Sequence, residues 1–568
     1  MAPSIVHLPN GQTLTVTPVF GGLSFRSNEL NTHHNVFPPG WTINLHSAEE
    51  ADEAEEAPQE REDEPIASAH AHTQPHHKKY NLHRFRAPTL HGDQLFISSI
   101  SNPSSQDFLP ASSPTRQIAM MLWATLWWYF HQHAPSPYVK NAASANTPDV
   151  GKPRGEWRVQ ITREGIFQGK HLLPKLERMG LISSEDSSVG VDPEDGVNSM
   201  GDAWRHMFVS QRSFWQLDAR IYLFTLSPAQ INSPFPSLSP STSRPASPSR
   251  SGGTLTPRDD HSYANAATAF APHIPRSNTP PGPFSSGSHL PTFYPPPPLQ
   301  YKFTNGIRHP IRPKPPRQGE TFYSRYVPSL GQYISFRVAS LSPKPVIYRG
   351  PVCCNGHNAE NSKTYTVPLR TAELPPSPAT PTPSGNTTPF DDRDSSTLND
   401  VELLHKWMNN PRVAYAWGES GPMAHQEAFL RAHLSNKHSF PVIGSFDGKP
   451  FGYFEIYWAK EDNLAAHVAT TQGAGAIDDW DRGLHVLVGE QAFRGPERVK
   501  VWLSALVHHC FLADLRTSKV VMEPRVDNEK LKGYCESVGF HKAGEVSFAH
   551  KQSNFMKIPR DVFEAPAL

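Results

Sequence analysis

Between Leu484 and Gly539 the spacing of apolar residues changes repeatedly, and the changes outline strand, turn, helix, strand and helix. Leu484–Gly489 is a short apolar run rich in β-forming residues, and Glu490–Arg498 is a polar turn carrying Arg494-Gly495-Pro496. Val499–Leu515 then brings Val501, Leu503, Leu506, Val507 and Phe511 round at roughly the helical period. Lys519–Met522 reads as a short buried strand, and Asn528–Val538 as a second helix closed by Gly539. A strand that feeds a glycine turn and a helix N-terminus makes an anion cradle, because the first N–H groups of a helix have no partner inside it.

Upstream, residues 1–46 alternate apolar and polar positions around Asn10-Gly11 and Gly21-Gly22, which predicts β-hairpins. Glu49–Glu64 is an acidic run without large apolar residues and is expected to be disordered. Arg116–His131 predicts a strongly apolar helix, Ile161–Leu181 a helical pair closed by Gly180, and Trp204–Thr225 strand material. A helical pair followed by strands is also the outline of a winged-helix DNA reader, but Gly165–Met179 carries only a modest positive excess, so a docking or structural role is preferred. Pro228–Pro316 is dense in proline, serine and threonine, and Tyr323–Leu341 returns to a strand pattern. Ser342–Ser395 is again Pro/Thr/Ser-rich, and helical periodicity resumes at Leu398.

The fold class is therefore α/β (α+β) in several pieces. A small N-terminal α+β domain covers 1–227, with an acidic disordered insert at about 47–80. A Pro/Ser-rich disordered linker covers 228–321, and a C-terminal domain with a mixed sheet covers 322–568, with a disordered insertion at 342–395. Within it, Gln332–Ala339 is expected to be the first strand.

Composition narrows the functional classes. Among 568 residues there are 58 prolines and a hydrophobic share of 37%, so much of the chain is not core. The formal net charge is zero, which gives no basic field for nucleic acid or an anionic membrane surface. Cys353, Cys354, Cys510 and Cys535 form neither a disulfide framework nor a zinc spacing, and suit a reducing compartment. His70, His72, His76 and His77 lack a packed surrounding that would give a metal its geometry, so no metal is expected. The N-terminus has no secretory pattern, and Ile118–Phe130, the most apolar run, is too short to span a bilayer.

The order strand, Arg-Gly turn, helix, strand, then N-x6-C-E-x2-G-F resembles the coenzyme-binding half of the GNAT N-acyltransferases. LHKWMNNPRVAYAWGE (404–419), FGYFEIYWAKED (451–462) and GLHVLVGE (483–490) resemble a narrower group, the siderophore acyltransferases. These acylate hydroxylysine-type amines in bacteria and N5-hydroxyornithine in fungi. The opening VHLPNGQTLTVTPVFGG is similar to the fungal branch. The resemblance implies acetyl-CoA or another acyl-CoA as co-substrate, with N5-hydroxyornithine as acceptor. The strands Leu484–Gly489 and Lys519–Met522 would splay around the pantetheine arm, so Val486, Leu487, Val488, Arg494, Gly495, Arg498 and Asn528 are the candidate coenzyme residues.

His485 stands where the resemblance implies a catalytic histidine, and an unperturbed imidazole could take a proton near neutral pH. Glu523, at the end of the adjacent strand, could orient it or hold the substrate's ammonium. Trp407, Asn409, Arg412 and Trp417, with Glu455, Tyr457, Trp458 and Lys460, are the acceptor candidates. Two departures from the GNAT pattern are expected to matter. Glu497 stands where a small residue is usual in the turn, and Cys535 where a tyrosine often protonates the thiolate, with Tyr534 one residue early. They leave open a degenerate GNAT that senses acyl-CoA. Pro566-Ala567-Leu568 lacks the basic residue of a peroxisomal tripeptide, which predicts a cytosolic enzyme using acetyl-CoA for a ferrichrome-type siderophore. Transfer of an anhydromevalonyl group for an extracellular siderophore is the alternative.

Overall fold

The two-residue burial period seen along Thr13-Leu14-Thr15-Val16 and Asp93-Gln94-Leu95-Phe96-Ile97 is that of strands with one face on a core. The computed structural model describes residues 4–28, 37–50, 80–101, 114–139, 142–169, 171–184, 207–217, 300–304, 306–353, 394–469 and 475–568. Residues 51–79 of the acidic insert, the four histidines at 70–77 among them, most of the 228–321 linker and most of the 342–395 insertion lie outside these residues, whereas 47–50 and Tyr80, expected to be disordered, are paired strand residues.

The N-terminal part is an eight-stranded sheet. Its strands are β1 (Ser4–His7), β2 (Thr13–Val19), β3 (Gly22–Ser27), β4 (Gly40–Glu50), β5 (Tyr80–Arg84), β6 (Asp93–Ser101), β7 (Arg158–Ile161) and β8 (Met207–Ser210). All neighbours are antiparallel except β6 and β7, which are joined through helix α1 (Pro114–Phe130). Every position of α1 from Ala119 to Phe130 is buried, so the helix has no need of a polar face there. Trp123, Trp127, Trp128 and Phe130 pack there with Phe25, Phe214 and Trp215.

Two expectations are corrected here. Ile161–Leu181 is not a helical pair: Ile161 ends β7, Gly165–Gln168 is a 3-10 turn entered at Gly165 with φ +53°, and only α2 (Leu172–Arg178) is α-helical. Of Trp204–Thr225, Met207–Ser210 is β8, but the chain then turns into helix α3 (Gln211–Trp215). Ser210 forces that turn by accepting from Ser213 N, while Ser213 Oγ accepts from Ser210 N.

The hairpin β9 (Tyr301–Thr304) and β10 (Ile307–Pro310) is a further correction, since the sequence predicts a structureless linker to residue 321. Beyond it Arg312 enters the C-terminal part, where its guanidinium grips Glu461 through Nε at 2.7 Å and Nη2 at 2.5 Å and also reaches the Asp479 carbonyl.

The C-terminal sheet also has eight strands. In chain order the elements are β11 (Thr321–Val327), β12 (Gln332–Val338), α4 (Asp400–Met408), α5 (Pro411–Trp417), α6 (Met423–Ser435), β13 (Ser439–Phe446), β14 (Lys449–Trp458), α7 (Asn463–Ala469), β15 (Arg482–Val488), α8 (Pro496–Ala513), β16 (Lys519–Met522), α9 (Glu529–Val538), β17 (His541–Ser547) and β18 (Gln552–Pro559). Across the sheet the order is β11-β12-β13-β14-β15-β16-β18-β17, and β15–β16 is its one parallel pair. Helices α4, α5 and α6 cover one face through Leu404, Val413 and Leu430, and α8 covers the other through Trp502, Leu506 and Phe511. His508 of α8 touches the N-terminal part, its Nε2–H donating to the Trp215 carbonyl at 2.7 Å.

Candidate functional site

A gap opens in the middle of the C-terminal sheet. β15 pairs with β16 only through Arg482↔Val520 and Gly483↔Val521, and from Leu484 onward it runs along β14 alone. At the far end of β15 the chain turns through Phe493-Arg494-Gly495 into α8. Gly495 sits at φ +123°, a conformation that favours glycine, and Pro496 opens the helix without needing a donor. Here a cleft of about 360 Å³ lies between the turn, β15 and the start of α9. Val486, Val488 and Trp502 form its apolar wall, Arg412, Arg494 and Lys530 its cations, and Tyr534 also lines it. That donor set matches an anionic head followed by an apolar arm, which is the chemistry of an acyl-CoA.

The other end of the gap holds the titratable groups. Glu455 and His485 are directly opposed across β14 and β15, so their side chains share one face, and Glu523 follows the last residue of β16. His485 Nδ1 lies 2.8 Å from Glu455 Oε2 and Nε2 lies 2.6 Å from Glu523 Oε1. Tyr457 donates to Glu523 Oε2 at 2.9 Å and Tyr453 donates to Glu455 Oε1 at 2.8 Å. His433 Nδ1, on α6, lies 2.9 Å from the same Glu455 oxygen. Gly483 makes room for this arrangement, because a Cβ there would strike the Tyr457 ring.

Charge follows from these contacts. Burial would lower the pKa of His485, but the Glu523 charge and the hydrogen bonds to both carboxylates outweigh it and hold the imidazolium well above its ordinary range. Burial likewise acts to raise Glu455 and Glu523. Contacts with His433 and His485 override it at Glu455, and His485 with Lys551 overrides it at Glu523, so both stay low. The resting site is a protonated histidine between two carboxylates, with donors on both ring nitrogens. His485 was expected to be an unperturbed imidazole titrating near neutral pH, and the paired carboxylates correct that.

The remaining candidates divide. Trp417 is half-buried and faces the site, 6.5 Å from the His485 ring and 5.7 Å from Tyr453. Arg412 belongs to the coenzyme cleft and not the acceptor side. It donates to the carbonyls of Val488 at 3.0 Å and Gly489 at 3.3 Å, and burial together with Arg494 lowers its pKa. Asn528 caps α9 by accepting from Leu531 N and lines the cleft.

Several candidates are corrected. Trp407 is core: its ring abuts Gly489, and its Nε1–H donates to Glu490 at 2.8 Å. Asn409 staples a loop, exchanging hydrogen bonds with Gly421. Trp458 is stacked between Arg482 at 3.3 Å and Arg312 at 4.4 Å, and Lys460 pairs with Asp479 at 3.4 Å. Arg498 turns to Gln332 at 3.0 Å and does not line the cleft, and the Leu487 side chain points into the core under α4.

The two departures also resolve differently from expectation. Glu497 is exposed and outside the cleft lining, so its charge does not oppose an anion there. Cys535 is buried against Met522, and burial raises its thiol to about 12. Tyr534, set aside by counting, is the one that faces the cleft. His433, Tyr453 and Lys551 were also missed. Tyr453 was legible as two residues before Glu455 on one strand face, whereas His433 and Lys551 arrive from distant elements.

The N-terminal sheet repeats the parallel pair without this chemistry. β6 and β7 part after Leu95↔Ile161, and two residues on, where β15 has His485, β6 has Ile97.

Residues 396–548 match the family model described as an acetyltransferase (GNAT) domain. The chain is 44% identical to N5-hydroxyornithine acetylase sidL of Beauveria bassiana, over 97% of this chain and all of that protein. It is 40% identical to N(6)-hydroxylysine O-acetyltransferase of Escherichia coli, over 30% of this chain and 52% of that one. The N(5)-hydroxyornithine:cis-anhydromevalonyl coenzyme A-N(5)-transacylase SIDF of Beauveria bassiana is 31% identical over 44% of this chain and 42% of its own length. A splayed parallel pair ending in a cationic cleft, a histidine clamped by two glutamates beside it, and a likeness running the full length of one such enzyme put this chain in the siderophore acyltransferase family of the GNAT superfamily.

Proposed function

We propose that this chain transfers the acetyl group of acetyl-CoA to the N5 nitrogen of N5-hydroxy-L-ornithine, making the hydroxamate of a ferrichrome-type siderophore in the cytosol. The observation that carries the reading is the Glu455–His485–Glu523 array at the mouth of the β15/β16 gap. The full-length relative named for N5-hydroxyornithine acetylation supports the acceptor and the acetyl donor.

Arg412, Arg494 and Lys530 would hold the phosphates of the coenzyme, with the free N–H groups at the start of α8, and Val486 and Val488 would flank its apolar arm. When bound, the acyl-CoA supplies an activated thioester. An N-hydroxylamine nitrogen is much less basic than an alkylamine, so its lone pair is free near neutral pH and no strong base is needed before attack. Once that nitrogen bonds to the acyl carbon its proton becomes strongly acidic, and a carboxylate suffices to take it. Glu523 Oε1 is that acceptor. His485, as imidazolium, keeps Glu523 ionised and aimed. Tyr534, which lines the cleft, would return a proton to the departing sulfur. Trp417 and Tyr457 wall the methylene chain of the acceptor.

The test is a competition between acetyl-CoA and anhydromevalonyl-CoA for N5-hydroxyornithine, followed by free thiol and by ferric hydroxamate colour. A higher kcat/KM for acetyl-CoA is expected. A higher value for the bulky donor overturns the acetyl assignment, and no thiol with either overturns turnover on this acceptor. Cytosolic fluorescence of an N-terminally tagged chain is expected, and a peroxisomal signal contradicts that part.

A further inference from the structure

The acceptor in the proposed reaction is a zwitterion as well as a hydroxylamine, and the His485 cluster deals only with its reacting end. Two charged side chains flank that cluster on elements packed against each other. Lys551 lies in the turn between β17 and β18, where Phe548 N donates to its carbonyl at 2.8 Å. Its Nζ is 3.5 Å from the Glu523 carbonyl, 3.9 Å from Glu523 Oε1 and 5.1 Å over the Phe548 ring. An ammonium has three donors, and this one is held only loosely. Nearby cations of the described residues are engaged elsewhere: Lys460 with Asp479, Arg525 with Asp527, and Arg482 under Trp458.

On the neighbouring element Asp462 opens α7. Its Oδ1 accepts from Leu464 N at 2.9 Å and its Oδ2 lies 3.3 Å from His438 Nε2. His438 in turn accepts at its carbonyl from Trp458 N at 2.8 Å, which ties Asp462 to the end of β14 beside Tyr457 of the cluster, where its charge also acts on His485 and Glu523. The two elements meet where the His467 ring of α7 packs 4.7 Å from the Phe548 ring. Both side chains keep partial access to solvent, 23% for Lys551 and 21% for Asp462. A cation and an anion therefore stand beside the reacting pair on two elements packed together, as two groups on one α-carbon require, with a flexible lysine stem to adjust to the length of an ornithine side chain.

We propose that Lys551 binds the α-carboxylate of the acceptor and Asp462 its α-ammonium, so that this pair selects an amino-acid hydroxylamine over a simple one. The proposal rests on the hydroxyornithine reading above. Neither group exchanges protons with the reacting atoms; each contributes binding and register, and Lys551 also helps keep Glu523 ionised.

The experiment compares three acceptors: N5-hydroxyornithine, N-hydroxyputrescine, which lacks the carboxylate, and 5-(hydroxyamino)pentanoate, which lacks the α-amine. Wild-type protein should prefer hydroxyornithine over each truncated acceptor by roughly 10–100-fold in kcat/KM, the scale of one charge-assisted contact. Lys551→Met should collapse the preference over N-hydroxyputrescine while keeping that over 5-(hydroxyamino)pentanoate, and Asp462→Asn should do the reverse. Lys551→Arg should restore most of the first preference, and Asp462→Asn retains an oxygen to cap α7, so misfolding is separated from lost recognition. Preferences that survive both substitutions, or fall equally for both analogues in each variant, overturn the pair while leaving turnover of hydroxyornithine intact. A wild-type chain inactive on hydroxyornithine overturns the functional reading and this proposal with it.

Discussion

Replacing Glu455 by glutamine tests how the site keeps His485 charged. Glu455 Oε2 lies 2.8 Å from His485 Nδ1, and its carboxylate is one of two that raise the imidazole. An opposite charge at hydrogen-bond distance moves a pKa by about 1–3 units, or about 1.4–4 kcal/mol of preference for the charged form. Glutamine can still accept from Nδ1–H, so geometry is largely kept while the charge goes. The folded-state pKa of His485 lies above its unfolded value. Its stabilising contribution is therefore complete below the unfolded value and is lost as pH rises through the folded one. In the variant that loss, and with it the alkaline fall in kcat/KM, should begin about 1–3 pH units lower. The assay is thiol release with acetyl-CoA and N5-hydroxyornithine from about pH 6 to about pH 10. The acceptor's own titration is common to both proteins and cancels. An alkaline limb that stays in place would refute the claim that the carboxylate pair sets the protonation of His485.

Arg412→Ala should weaken coenzyme A binding by roughly 10–100-fold, more at low salt, as read by calorimetry. An unchanged Kd would remove Arg412 from the cleft's anion site. Arg312→Ala leaves Glu461, whose side chain is 3% exposed, without its bidentate partner, and should cost about 3–5 kcal/mol in urea unfolding; a loss below about 1 kcal/mol would mean that the segment after β10 is not anchored there. His508 is held neutral by burial, with Arg325 adding to the effect, and its pKa falls to about 3. Its unfolded form binds the proton first, so stability should fall as pH drops below the ordinary histidine value of 6.5. At about pH 5 the cost is about 2 kcal/mol relative to neutral pH, and His508→Gln should flatten that slope.

The strand, turn, helix order from β15 to α9 was legible because its apolar periods are local, and Gly495, Pro496, Asn528 and Gly539 punctuate it by their own backbone chemistry. His485 stood out because it interrupts an apolar strand. Its partner Glu455 was placed with the acceptor, because strand parity gives the face but not the register that sets it opposite His485. Tryptophans misled for a related reason: Trp407 and Trp458 are used for packing under Gly489 and between arginines, and aromatic identity does not tell a wall from a core. Counting from Asn528 picked out Cys535, but the helix brings Tyr534 to the cleft and buries the cysteine against Met522. Lys551 belongs to a hairpin turn sequence-distant from Asp462, and only the fold brings the two to one site.

Glu523, held ionised by His485, is the group that takes the proton from the hydroxylamine nitrogen in the proposed reaction. Rapid-quench single-turnover measurement with saturating acetyl-CoA and N5-hydroxyornithine, comparing wild type with Glu523→Gln, tests it most directly. The variant should form hydroxamate roughly 10²–10⁴-fold more slowly while binding coenzyme A with little change. Hydroxamate formation at the wild-type rate in the variant would contradict it.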